Sequence, residues 1–440
     1  MERQKTEERQ RKEQRQAAEA LLRQIHRSTC PFTAVGYVEE ELKQEGFIPL
    51  KLHERWELRA GGRYYVPAYG RTLFAFAVGE RQAERQKIRI AAAHTDFPCF
   101  KVKYAPELPA FGCGRLNVEP YGGMIRSAWM DRPLSMAGKV AFRSRDPFQP
   151  ETMVVDFDRP VCTIPNLAIH MNRKVNDGVC LDPQKDMLPV AGLAGEAPDG
   201  EFFKKALASE TNRQPEEILD YEMFLYPWEE GSFVGFDETL LSAPRLDNIT
   251  SVRACVQGLL KGGRREGLNL IALFDNEEVG SHSKQGAASF LLPFVLERIY
   301  GAFNRSREDL LADLPDGYFL SLDVAHAVHP NAPEKADPVN RPTPGGGVTL
   351  KISASQSYAG DCETAATLQL LCEKAGVPFQ RFFNHSGQPG GGTLGSIAST
   401  ALPMKTMDAG IAILAMHSAR ELMGAADQWA LEQLVRELFS

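Results

Sequence analysis

The chain has 440 residues, of which 43% are hydrophobic and 24% charged, with 50 Lys and Arg against 57 Asp and Glu for a net charge of −7. Such a composition can bury a large core and excludes a disordered or collagen-like chain, while the lack of surplus positive charge argues against a nucleic-acid partner. No run reaches the ~18 consecutive apolar residues of a membrane span, and the charged N-terminus lacks the apolar core of a signal peptide.

Eight cysteines are scattered without a C-x-x-C pair, so free thiols and a cytoplasmic location are expected. Residues 1–29 open with interleaved Arg, Lys, Glu and Gln and turn apolar at Ala17, Leu21, Leu22 and Ile25, which reads as a helix with solvated first turns. Glu2, Glu7, Glu8 and Glu13 leave no cationic face for a membrane surface. The charged residues before Ala17 either extend this helix or lack structure. Tyr64–Val66, Leu73–Val78 and Ile88–Ala93 are short apolar runs bounded by Gly and charge, and read as strands.

Residues 97–240 are rich in Pro and Gly, with β-like runs such as Met153–Val155, and read as an inserted β-rich domain. After Pro244 a helix is expected at Asn248–Leu260, a strand at Leu268–Phe274, a helix from about Ser283 and a strand at Tyr318–Val324. The expected fold class is α/β: a sandwich with a central, largely parallel mixed sheet built from residues 1–96 and 241–440, plus the insert 97–240.

Ligands of such sheets gather beyond the carboxyl ends of the strands. The run Ile88–Ala93 ends in His94-Thr95-Asp96, Leu268–Phe274 ends in Asp275-Asn276-Glu277-Glu278, and Tyr318–Leu322 ends in Asp323. Asp247 at a helix start and His417 after an apolar run are further candidates. Imidazole and carboxylate donors suit zinc, or manganese or cobalt. A two-metal site needs about five or six ligands, one of them a bridging carboxylate, and a separate carboxylate to deprotonate water. Glu277 and Glu278, adjacent beyond a strand end, can divide those duties, and Asp96 can orient the His94 ring. Taken singly, Asp247 is a helix cap, Glu277-Glu278 a solvated loop and His417 a core histidine; the joint pattern favours a metal site. His326 and His329 precede Pro330 and stay outside the ligand set.

These residues, with Tyr121-Gly122-Gly123, Trp129-Met130-Asp131-Arg132, Ala137-Gly138, the block Ile164 through His170 and Met416-His417-Ser418, resemble the aspartyl aminopeptidase and yeast aminopeptidase I family of dinuclear zinc exopeptidases. The resemblance runs from about Ala17 to near the end of the chain. It implies that His94, Asp247, Glu278, Asp323 and His417 hold two divalent ions, with Asp247 bridging and Glu277 as general base. It also implies peptide substrates, dimerisation through the insert, assembly of dimers into a tetrahedral dodecamer, and a His170 that reaches a neighbouring subunit's site. Lys351 matches a family lysine near the substrate side-chain pocket, where a cation would favour N-terminal Asp or Glu.

One departure stands out. His385 and Gly387 occupy positions where bacterial relatives of that family usually carry Arg and Asp, so a permanent cation and its fork of donors are lost. Beside an aminopeptidase, the sequence therefore leaves open a catalytically weak scaffold protein and a dinuclear deacylase of N-blocked peptides.

Overall fold

The computed structural model describes residues 2–81, 85–193, 201–388 and 390–440. Two compact units emerge: Met1–Asp96 with Gly231–Met416 and Glu421–Ser440, and Phe97–Glu230 with His417–Arg420.

The first unit is built on a 13-stranded mixed sheet. Its central strands, Leu268–Phe274, Ile88–His94, Tyr318–Leu322 and Lys405–Leu414, lie side by side and parallel. Thr72–Val78 and Arg63–Ala68 add antiparallel neighbours on one flank. Glu421–Gly424, Leu240–Ala243 and Ser232–Val234 do so on the other.

The central runs are continuously apolar because both faces are covered. Ile88, Ile90 and Ala92 enter one core with Leu270, Ala272 and Phe319. Alternate residues Ala91 and Ala93 enter the other with Ile271, Leu273 and Leu320. Helices Glu2–Arg27, Pro31–Gln44, Leu246–Lys261 and Asp427–Leu438 supply apolar faces to the second core, and Leu291–Ala302 to the first.

One open alternative is resolved and two expectations change. The charged N-terminal residues continue the first helix, which is mostly exposed over residues 4–16 and buried at Ala17, Ala18, Leu21 and Ile25. Arg15 ties its exposed part to Glu19 at 3.0 Å and Glu238 at 2.6 Å. Residues 231–240, expected with the insert, instead begin the outer strands of the large sheet, because Phe233 and Leu241 pair there in register. The helix expected from Ser283 starts at Leu291. Ser283 and Ser289 bond the backbone at Gly286, holding the intervening residues in turns.

The second unit is a six-stranded sheet ordered Glu151–Asp156, Leu134–Phe142, Ile218–Pro227, Cys99–Ala110, Cys113–Tyr121 and Val190–Leu193. Every pairing in it is antiparallel. A Cβ at Gly138 would lie 1.9 Å from the Glu222 carbonyl oxygen, so only glycine lets these strands approach. Asp131 accepts the backbone N–H and side-chain amide of Asn166 at 2.8 and 2.7 Å, which accounts for both residues in their sequence blocks. Among the described residues no helix is long and apolar enough to cross a membrane.

Candidate metal centre

Register alone assembles much of the site. Phe274 pairs with His94, and Ser321 pairs with Ala92, so the residues following Phe274 and Leu322 lie level with His94 at one edge of three adjacent parallel strands. His94, Asp275 and Asp323 therefore come together from distant parts of the chain, at the inter-strand spacing of about 4.8 Å.

His94 is fully buried. Its Nδ1 lies 3.0 Å from the Asp96 carbonyl oxygen, which leaves Nε2 to face outward. Nε2 is 3.4 Å from Asp247 Oδ1, 3.5 Å from Asp323 Oδ1 and 4.0 Å from Glu277 Oε2. None of these makes a well-directed hydrogen bond to that buried nitrogen among the described residues. Two groups with metal-ligand geometry share His94, one with Asp247 and Asp323, the other with Glu277 and Glu278.

Local backbone aims each carboxylate. Asp247 has non-helical backbone at the head of its helix, where Arg245 is left-handed. Its N–H donates to Glu421 Oε2 at 3.0 Å, and the next residue, Asn248, donates its side-chain amide to the Leu322 carbonyl at 2.9 Å. Glu277 and Glu278 sit on a single 3-10 turn entered through a left-handed Asn276. The Asp96 carboxylate accepts both of their backbone N–H groups, at 3.1 and 3.2 Å. Asp275 lies behind them, fully buried against Arg71 Nε at 2.7 Å, and accepts from Gln285 at 3.1 Å. Asp323 Oδ2 accepts from Lys351 Nζ at 3.0 Å.

This crowding of negative charge shapes the electrostatics. Burial pushes Glu277 up to about 8, with Asp323, Asp96 and Asp247 adding to it against His94. Burial and Asp247 lift Glu278 far above the carboxylate range. Burial alone would disfavour a charged His94, yet Asp247, Asp323 and Asp96 pull its pKa well above the usual value. Burial opposes ionisation of Asp323, but Lys351 and His94 hold it low. Buried carboxylates of which Glu277 and Glu278 ionise only with difficulty suit a resident cation. The orphaned Nε2 and the hard oxygen donors fit zinc, with manganese or cobalt as chemically acceptable substitutes.

The other expected residues lie as follows. His417 groups with the second unit, where its Nδ1 is 2.5 Å from the Gly123 carbonyl oxygen and Nε2 is the remaining nitrogen. His170, also in that unit, is exposed on a turn between Ala168 and Asn172. Lys351 is buried rather than presented at a surface. His326 ends a two-residue strand beside Phe382, and the His329 ring accepts the Asn331 N–H. Gly387 N–H donates to His385 Nδ1 at 3.1 Å, so the substituted pair closes a turn of its own.

Several supporting residues went unread in the sequence. Glu421, Arg71 and Gln285 gave no local signal, since each works through a partner distant in the chain. Gly410 did give one, as a glycine inside an apolar strand. A Cβ there would lie 1.9 Å from the Asp323 carbonyl oxygen.

A sheet with parallel central strands and an imidazole crowded by carboxylates at its carboxyl edge is the framework of an α/β metalloprotein. Comparison with known proteins makes this specific. Residues 24–439 match the family described as aminopeptidase I zinc metalloprotease (M18). A Clostridium novyi (strain NT) protein named "Probable M18 family aminopeptidase 2" is 41% identical over 425 residues, 96% of this chain and 98% of that one. The cryo-EM structure of the Ape4 and Nbr1 complex superposes with a TM-score of 0.92 at 29% identity, covering 96% of this chain and 85% of that chain. The S. cerevisiae mApe1 dodecamer gives 0.82 at 25% identity, covering 96% of both chains. The chain belongs to the M18 family and is a zinc metalloaminopeptidase.

Proposed function

We propose that the chain removes single N-terminal residues from peptides at a two-zinc site held by His94, Asp247, Glu278, Asp323 and His417, with Asp247 shared between the ions and Glu277 as general base. The observation that carries this reading is the buried His94 Nε2, which meets Asp247 and Asp323 at 3.4 and 3.5 Å. In His417, as in His94, Nδ1 faces a backbone carbonyl oxygen.

Bound zinc would supply Lewis acidity and lower the pKa of water. Glu277, half-buried, takes the proton of the attacking water and passes it to the leaving amine. Asp96 fixes the turn from which Glu277 reaches. A metal or an adjacent carboxylate would hold the free α-amine of the substrate, which limits cleavage to one residue at a time.

The mApe1 of S. cerevisiae forms a dodecamer. By extension we assign dimerisation to the second unit and a tetrahedral dodecamer to the assembled chain, with His170 entering a neighbour's site. The exposure of His170, Leu167, Ile169 and Met171 supports this. Eight free cysteines, five of them buried, fit a reducing cytoplasm.

The test is release of free amino acid from a peptide panel by purified protein, stripped by chelator and reloaded with zinc, manganese or cobalt. Metal-dependent release from free but not acetylated peptides is expected. Cleavage confined to acetylated peptides would overturn the reading in favour of a deacylase.

A further inference from the structure

We infer that Glu421 and Asn248 are positioning residues that fix Asp247, the carboxylate proposed to be shared between the ions, and set its spacing to Asp323. This rests on the two-zinc reading of the site.

Helix Leu246–Lys261 does not hold Asp247 by its own hydrogen bonds. Asp247 and Asn248 both have non-helical backbone, and the first amides of any helix lack a partner within it. Asp247 is 3% exposed, so its N–H needs an acceptor from elsewhere in the protein. Glu421 supplies it, with Oε2 taking that N–H at 3.0 Å. Strand register brings so distant a residue there. Glu421 opens strand Glu421–Gly424 and pairs with Ala243, the last residue of Leu240–Ala243, four residues before Asp247. Glu421 is itself 2% exposed. Packing alone gives no reason to bury a carboxyl group, since an apolar side chain would fill the sheet at lower cost.

Asn248 works from the other side. Fully buried, it donates its side-chain amide to the Leu322 carbonyl oxygen at 2.9 Å. That oxygen belongs to the peptide group whose N–H is that of Asp323, and this N–H donates to the Ala409 carbonyl oxygen at 2.9 Å. The residue after one ligand is thus tied to the peptide group before the other. With the two carriers joined, Asp247 and Asp323 meet His94 Nε2 at 3.4 and 3.5 Å. Metal–ligand distances tolerate only about 0.2 Å, so a backbone shift at a shared carboxylate loosens both ions at once.

The experiment compares the wild-type protein with Glu421→Gln, Glu421→Leu and Asn248→Leu. Zinc binding to the stripped proteins is followed by calorimetry, beside kcat and the thermal midpoints of the zinc-free forms. Glu421→Leu and Asn248→Leu are expected to weaken binding of both ions about 10- to 100-fold and to lower kcat by a similar factor. Glu421→Gln keeps an oxygen acceptor for the Asp247 N–H and should stay close to the wild type. A role in folding alone would lower the zinc-free midpoint and leave zinc affinity unchanged, and that outcome in the Leu variants overturns the inference. Weakening by Gln as large as by Leu overturns it too, because the acceptor would then not be what Glu421 contributes. A crystal structure of the zinc-loaded wild-type protein gives a check that needs no variant. Glu421 found on the Asp247 N–H supports the inference, and Glu421 found on an ion overturns it. Failure of the wild-type protein to take up two zinc ions would instead overturn the two-zinc reading itself.

Discussion

The Asp96 carboxylate grips the backbone of Glu277, accepting its N–H at 3.1 Å, and takes the N–H of Glu278 with its other oxygen at 3.2 Å. Asp96 contacts His94 chiefly through its own carbonyl oxygen, at 3.0 Å, with the carboxylate at 3.5 Å. Its side chain therefore works less on the imidazole than on the turn carrying the base. An asparagine offers one acceptor and one donor in place of two acceptors. Asp96→Asn should leave one amide of the turn facing a donor and lower kcat by about 10- to 100-fold. Steady-state kinetics together with zinc content check this, and an unchanged kcat would remove Asp96 from the positioning role.

Glu277 and Glu278 share a turn but should part company on substitution. Glu277→Gln is expected to keep zinc near the wild-type content and to lose about 10²- to 10⁴-fold in kcat, the range for a general base. Glu278→Gln should lose zinc instead, with a right-shifted metal dependence of activity. Atomic absorption on the purified variants distinguishes the two. Equal metal loss in both would mean that neither carboxylate is reserved for the water.

Much of this centre was legible because strand ends are legible. His94, Glu277, Glu278 and Asp323 each follow an apolar run, and parallel register then brings those runs level. What could not be read is pairing across the fold. Lys351 looks like a free strand-end cation until the antiparallel register of its strand against Lys405–Leu414 brings it to Asp323, 28 residues earlier. The turns after Glu278 were hidden for the opposite reason. Their Ser and Gly residues bond locally and override the helical signal that follows at Leu291. The boundary near residue 231 depends on edge-strand pairing, for which a three-residue strand gives little pattern.

Arg71 and Asp275 form a buried ion pair at 2.7 Å directly behind the turn, with Arg71 also stacked 5.3 Å from the Phe32 ring centre. Burial already lifts Asp275 to about 7, with Asp96 adding to it and Arg71 opposing. Arg71→Met strands the carboxyl group and should cost about 3–5 kcal/mol, as for removal of one partner of a buried pair. Adding Asp275→Asn to Arg71→Met removes the stranded carboxyl group and should return much of that loss. Urea midpoints of the two single variants and the double variant test the coupling. Simple additivity of the two losses would show that the pair is not coupled.

Asp427 makes stability depend on pH away from the metal centre. It is 1% exposed and accepts the Gly345 and Gly347 N–H groups at 2.7 and 2.9 Å. Burial pushes its carboxyl up to about 7 despite these donors. Below a pH of about 4 both the folded and unfolded chains carry the proton. Between about 4 and 7 only the unfolded chain releases it, so this group's contribution to stability falls as pH rises and levels off above its folded value. Asp427→Asn cannot ionise and loses one of the two acceptors. It should be less stable than the wild type at pH 5, by a margin that narrows towards pH 8. Thermal midpoints of the zinc-free proteins at both pH values decide the matter. A margin that stays constant or widens would show that Asp427 is ionised in the folded protein throughout this range.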